Sequence, residues 1–255
     1  MFSAQDIYVH FEGLVALNDF SLSVDRGEIV ALIGPNGSGK TTFFNTISRF
    51  VSSERGLITF GGQDITYFSA HQVSELGIAR TFQNLELFPY LTVLENVLVG
   101  THGRVSLGQA MKNMVSRAER QRQEFMALEI LDFLGISGFE QSSPAGLPFG
   151  IQKLVELARA LAVKPIFILL DEPAAGMNEQ ETREIGRIIT DIRDELGITV
   201  LLVEHDMSLV MDISDRVAVM NSGELLAEGK PEEVKTDLQV LEVFLGAGFE
   251  NRDHA

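Results

Sequence analysis

Gly34–Thr42 reads G-P-N-G-S-G-K-T-T and follows directly on the apolar run Ile29–Ile33. An apolar strand that ends in a glycine-rich turn and runs on into helix-compatible sequence is built to hold phosphate. The spacing of Gly34, Gly39, Lys40 and Thr41 fits the P-loop pattern. Each residue type has a chemical reason. Glycines let backbone N–H groups converge on phosphate oxygens with no Cβ in the way. Lys40 adds a point charge for the outer phosphates, and the Thr41 hydroxyl suits Mg²⁺, which prefers oxygen ligands. The helix starting near Lys40 turns its positive end toward the same anion. Gly34, Pro35, Asn36, Gly37, Ser38, Gly39, Lys40, Thr41 and Thr42 are therefore the expected cradle of a nucleoside triphosphate. Glycine-rich turns also cap helices without a ligand, but the strand before this one and the helix after it favour the nucleotide.

With 255 residues and 45% hydrophobic content, the chain suits one large domain, or a core with a subdomain, around a buried interior. No apolar stretch approaches the length of a membrane span, and Met1–Gly13 lacks the basic start and apolar centre of a signal peptide. A cytosolic protein is expected. Zero cysteines exclude disulfides and thiolate metal sites. A formal charge of −16 argues against nucleic acid as a main partner. It does not oppose nucleotide binding, because exposed charges are screened beyond about 8 Å at physiological salt. The mixed stretch Arg117–Glu124 reads as a solvated helix face.

Apolar strands alternate with helical patterns along the chain. Val30–Ile33, Ile166–Leu170 and Val200–Val203 are short, branched-rich runs followed by polar or glycine-containing turns, as in a buried parallel sheet. Between Asn84 and Val163 the β-runs disappear, and Ala110–Leu134 is spaced for one or two amphipathic helices. This predicts an α/β core formed by residues 1–83 and 164–230, with a helical subdomain inserted at 84–163. Helices near Pro231–Val234 and Leu238–Leu245 close the chain ahead of a polar tail, Asn251–Ala255, expected to be disordered.

A second decisive stretch is Ile166–Pro173, I-F-I-L-L-D-E-P, where a buried strand ends in adjacent carboxylates. Ligands of open α/β sheets bind at such strand ends. Asp171 is expected to hold Mg²⁺, directly or through water, and Glu172 to polarise the water that attacks the γ-phosphate. Neighbouring residues on an extended chain point in different directions, so one serves the metal and the other the water. An acidic turn that merely stops a strand is the alternative, weakened by the P-loop upstream.

A P-loop, Gln83 in T-F-Q-N, a Leu147–Ile151 segment, D-E-P and His205 in V-E-H-D occur in that order, and the set resembles the ATPase subunits of ABC transporters over nearly the whole chain. The resemblance implies a P-loop NTPase core with a parallel-rich sheet, an N-terminal antiparallel β portion and the helical subdomain. It places Phe11 where the family stacks an aromatic on adenine. Gln83 falls where the family contacts Mg²⁺ or the attacking water, and His205 matches its γ-phosphate switch histidine. Taken singly, Phe11 reads as a core aromatic, Gln83 as a surface amide and His205 as a capping or core histidine.

Arg80–Gly100, Asp171–Asn178 and Val240–Gly246 resemble one group more closely, the LivG-type ATPases of branched-chain amino acid importers, as does the long helical stretch Thr101–Leu131. The resemblance implies a second ATPase chain paired head to tail, two membrane permeases, and a binding protein outside that delivers the amino acid. It implies a peripheral position on the inner face of the cell membrane. Urea and amide importers share that architecture and stay open as alternatives, as does a non-transport ABC nucleotide switch.

Two segments depart from the family pattern. Where most members carry Leu-Ser-Gly-Gly-Gln, presented to the γ-phosphate on the opposite subunit, this chain has Leu147, Pro148, Phe149, Gly150 and Ile151. Pro148 has neither hydroxyl nor N–H, yet its fixed φ suits the first turn of a helix. Losing a hydrogen bond to a charged group costs about 1.5–3 kcal/mol, so a weakened composite site is expected rather than a dead one. Asn178 stands where many relatives place aspartate. In a heterodimer the site holding Lys40 and Glu172 is then expected to hydrolyse normally and the other more slowly. Leu85, Leu87, Phe88 and Tyr90 suit either a groove for a permease helix or the packing of a subdomain hinge.

Overall fold

A strand covered on both faces reads as a near-continuous apolar run. Ten strands form among the described residues: β1 (Phe2–Phe11), β2 (Leu14–Val24), β3 (Ile29–Ile33), β4 (Arg55–Phe60), β5 (Gln63–Asp64), β6 (Ile78–Arg80), β7 (Phe167–Asp171), β8 (Thr199–Val203), β9 (Arg216–Asn221) and β10 (Glu224–Gly229). Of these, β3, β7 and β8 are buried throughout. The computed structural model describes residues 1–83, 85–101 and 117–250.

A six-stranded sheet runs β10-β9-β3-β8-β7-β6. It is parallel from β9 to β6, with β10 antiparallel at its edge. A second, antiparallel sheet runs β2-β1-β4-β5. The expected parallel-rich core and the N-terminal antiparallel portion are both present.

Side chains alternate across a strand, and here the alternation divides the core in two. Ile29, Ala31 and Ile33 pack with Val155, Ala158 and Ile189 on the helical side. Val30 and Leu32 pack on the other side, among Phe2, Phe20, Phe43 and Phe44, which fill the space between the sheets. Phe20 meets Phe43 edge-on at 4.7 Å, and Phe2 stacks on Phe167 at 5.3 Å.

Between β6 and β7 the described residues hold helices Val93–Thr101, Arg117–Phe133 and Phe149–Ala162, two short 3₁₀ turns and no strand. Helix Arg117–Phe133 buries only Ala127 and Leu131, so its charged start is the solvated face expected. Helix Val93–Thr101 lies so close to helix Phe149–Ala162 that a Cβ on Gly100 would stand 2.2 Å from the Arg159 carbonyl oxygen. Helices Pro231–Thr236 and Leu238–Glu250 close the described chain. The part of the expected helical stretch at 102–116, Asn84 and the tail 251–255 lie outside the described residues.

The parallel strands bring three loops to one edge. Gly34 follows β3, Glu172 follows β7, and Glu204 and His205 follow β8. This is the carboxyl end of the sheet, where open α/β folds bind ligands.

Candidate active site

Lys40 opens helix Lys40–Ile47, with Gly39 as N-cap at φ +112° and no side-chain cap on the helix. The first-turn amides of an uncapped helix remain available to an anion. Gly39 is required sterically: a Cβ there would lie 2.5 Å from the Ala16 carbonyl oxygen. Left-handed strain costs about 1–3 kcal/mol at a residue with a side chain. Gly39→Ala is therefore expected to lower the melting temperature and weaken nucleotide binding by about tenfold or more, measured by thermal denaturation and nucleotide titration.

The Lys40 ammonium is buried and donates to the carbonyl oxygens of Gly34 at 2.8 Å and Pro35 at 2.9 Å. Burial pulls its pKa below the usual lysine value, while the Glu172 and Asp171 carboxylates act in the opposite direction. Ser38 Oγ is buried nearby with no hydrogen-bond partner.

Phe11, Asn36, Gly37, Lys40, Thr41 and Thr42 line a cleft of about 470 Å³ together with Gln83, Glu172 and His205. The last three converge although they come from separate loops. Glu172 Oε1 meets His205 Nε2 at 2.6 Å, and Gln83 Nε2 donates to Glu172 Oε2 at 3.0 Å. Glu172 has φ +50°, costly for a residue with a side chain, and its N–H donates to the Val203 carbonyl at 2.9 Å. Phe11 is 46% exposed on the cleft wall, which leaves its ring face available and removes the core-aromatic alternative.

Asp171 is 2% exposed and is held from behind. Arg80 Nη2 donates to its Oδ2 at 2.8 Å, across 91 positions of sequence. The same guanidinium donates to Asn45 Oδ1 at 2.7 Å on the Lys40–Ile47 helix and to Ser48 Oγ at 3.3 Å at that helix's C-cap, and lies over Phe82 at 5.1 Å. The expected metal carboxylate is thus one half of a buried ion pair, which sequence spacing did not reveal.

Glu204 was also missed, though a charge following the apolar run of β8 was a signal. Its Oε1 accepts from the Ala174 N–H at 2.7 Å and its Oε2 from the His205 N–H at 2.9 Å. It ties the turn after Glu172 to the His205 loop. Burial pushes its carboxyl above the usual range, opposed by these two bonds and by a third from the Asp206 N–H at 3.4 Å.

Leu147, Pro148, Phe149 and Gly150 do not line this cleft. Pro148 is the N-cap of helix Phe149–Ala162, one step before the first turn, and no side chain caps that helix. Pro148, Gly150 and Ile151 border a separate hollow with Met177, Glu181 and Ile185, so Ile151 packs against the helix after D-E-P. Asn178 Oδ1 accepts from the N–H groups of Gln180 and Glu181, and Glu181 returns a bond to the Asn178 N–H at 2.9 Å. This capping box starts helix Glu179–Asp194, and asparagine serves it as well as aspartate does.

The loop carrying Gln83 is anchored by helix Phe149–Ala162. Lys153 Nζ donates to the Gln83 carbonyl at 3.2 Å, Glu156 Oε1 accepts from the Phe82 N–H at 3.1 Å, and Arg159 Nη1 donates to the Glu86 carbonyl. Farther out, Phe50, Phe82, Phe88 and Val99 with Arg80 and Glu156 line a hollow of about 370 Å³. Phe88 faces that hollow, Leu87 packs on the helical-side core, Leu85 is half-buried, and Tyr90 is 98% exposed.

The family model described as ABC transporter matches residues 17–175. The high-affinity branched-chain amino acid transport ATP-binding protein BraF of Pseudomonas aeruginosa is 39% identical over 242 residues, covering 93% of this chain and 94% of the relative. LivG of Escherichia coli, of the same description, is 37% identical over 250 residues, covering 96% and 98%. A solved ATP-binding cassette of an ABC transporter in its ADP conformation superposes with a TM-score of 0.86 at 33% identity, over 96% of this chain and 98% of that one. A dimeric bacterial ABC transporter cassette gives 0.79 at 27% identity, over 91% and 99%.

Proposed function

Because the chain belongs to the ABC transporter family of ATPases, we propose that it is the ATP-binding and ATP-hydrolysing motor of an importer for branched-chain or other hydrophobic amino acids. The observation that carries the hydrolytic part is the Gln83–Glu172–His205 cluster, in one cleft with Lys40 and Thr41.

Phe11 stacks on the adenine, and the amides of Gly34–Thr42 surround the phosphates, with Lys40 neutralising the outer ones. Glu172 accepts a proton from the attacking water. His205, hydrogen-bonded to Glu172, reaches the γ-phosphate, and Gln83 orients the water. The nearby donors suit Mg²⁺, since Thr41, Gln83 and Asp171 all offer oxygen and the orphaned Ser38 hydroxyl adds another polar group at the loop. Asp171 would be its carboxylate ligand, Arg80 being bonded to one of the two oxygens. Bound there, Mg²⁺ would offset the negative charge of the β- and γ-phosphates.

A second ATPase chain pairs head to tail with this one, so that Leu147–Gly150 face the nucleotide of the partner. ATP between the chains favours the closed pair, and loss of phosphate contacts after hydrolysis reopens it. The helical part, 84–163, moves against the core, 1–83 and 164–230. The hollow bordered by Phe50, Phe82 and Phe88 receives a short helix from one of two permeases, which holds the chain at the inner face of the membrane. Among the described residues no helix is long and apolar enough to cross a membrane.

The test is uptake in vesicles containing this chain, its partner ATPase and the permeases, with the binding protein supplied outside. ATP-dependent accumulation of labelled leucine, isoleucine or valine is expected. Accumulation of urea or an amide instead moves the cargo to the alternative importers. Nucleotide binding without turnover in the full assembly favours a switch.

A further inference from the structure

We propose that Lys153, Glu156 and Arg159 form a clamp through which the position of the Leu147–Gly150 segment sets the position of Gln83, making them positioning residues for hydrolysis in their own chain. The inference rests on the reading that Leu147–Gly150 complete the site of a second chain.

The three residues are spaced three apart on helix Phe149–Ala162 and therefore share a face. All three bond to main-chain groups of the same short segment, at Phe82, Gln83 and Glu86. Lys153 is 5% exposed and Glu156 2%. Charged groups so deeply buried are costly, and apolar residues would pack there at less cost, so stability alone does not account for them. Burial pushes the Glu156 carboxyl above its usual range, opposed by the Phe82 N–H, Lys153 and Arg159.

The clamp is continuous at both ends. At one end the Lys153 ammonium lies 5.9 Å from the ring centre of Phe149, and Gln152 Nε2 donates to the Leu147 carbonyl at 2.8 Å. At the other, Gln83 Nε2 donates to Glu172 Oε2. A nucleotide that seats Leu147–Gly150 on a second chain thereby also fixes the partner of Glu172 here, and the two sites of a pair become energetically linked.

The experiment compares Glu156→Ala, Glu156→Gln and Lys153→Met in the assembled complex, recording kcat, KM and the Hill coefficient for ATP beside the nucleotide Kd and melting temperature of the isolated chain. Glu156→Ala and Lys153→Met are expected to lower kcat by roughly 2- to 30-fold and bring the Hill coefficient to one, with Kd unchanged. Glu156→Gln, which retains the acceptor for the Phe82 N–H, is expected to restore most of both. Equal losses in Glu156→Ala and Glu156→Gln that follow the melting temperature, or an unchanged Hill coefficient, overturn the proposal. A second readout does not depend on turnover: Phe149→Ala is expected to accelerate amide hydrogen exchange across 82–86 at the opposite end of the clamp. Unchanged exchange there overturns the clamp by itself. Absence of turnover in the wild-type assembly overturns the functional reading instead, and the exchange experiment still judges the clamp.

Discussion

Glu172→Gln is expected to reduce steady-state ATP turnover by about 10²- to 10⁴-fold while leaving nucleotide affinity close to that of the unmodified chain. The substitution is nearly isosteric and keeps an acceptor oxygen for one neighbour, so the loop after β7 retains its shape. What disappears is the group able to take a proton. Glu172 is suited to that task because both of its oxygens are held, one by Gln83 and one by His205, on a backbone at φ +50°. Phosphate release in the assembled complex, with nucleotide titration of the isolated chain, measures the two effects separately. Turnover equal to that of the unmodified chain would remove Glu172 from the base role, and parallel loss of binding would make it a structural residue of the cleft.

The largest expected effect on stability comes from Arg80→Met. Asp171 is 2% exposed, and without Arg80 its charge stays buried with its ion-pair partner gone. Breaking one side of a buried pair costs about 3–5 kcal/mol. For a chain of this size that is a fall in melting temperature of roughly 6–20 °C. The double substitution Arg80→Met/Asp171→Asn removes both charges and is expected to regain most of the loss, because a neutral pair of similar volume carries a far smaller desolvation cost. Thermal denaturation of the three proteins decides it. Should Arg80→Met melt with the unmodified chain, Asp171 does not depend on the guanidinium for its place in the interior.

What was legible in the sequence follows from how locally each feature is encoded. The P-loop and D-E-P were legible because strand, turn and charge are consecutive, and β3, β7 and β8 formed where branched apolar runs ended in turns. The convergence of Gln83, Glu172 and His205 was reachable only through their order in a family pattern, since they are separated by 89 and 33 positions. The Arg80–Asp171 pair had no signal, because nothing in spacing says that a guanidinium on β6 lies behind the end of β7. Lys153, Glu156 and Arg159 carry no motif or spacing that singles them out, and only the burial of Glu156 and Lys153 in the folded chain does so. Asn178 was noted as a departure from the usual aspartate, although the Asn-x-x-Glu spacing already announced a capping box.

The anchoring of the Phe82–Glu86 segment through its main chain also bears on how such a motor changes clients. Lys153, Glu156 and Arg159 hydrogen-bond to peptide groups, with Arg159 also 6.0 Å from the Phe88 ring centre, so the identity of a residue such as Leu85 is largely released from the duty of keeping that loop in place. The surface next to the hollow can be re-lettered to suit a different membrane partner while the connection to Gln83 stays mechanically intact. One engine then serves many carriages, because the coupling is fixed in the peptide backbone and the fit is written in the side chains.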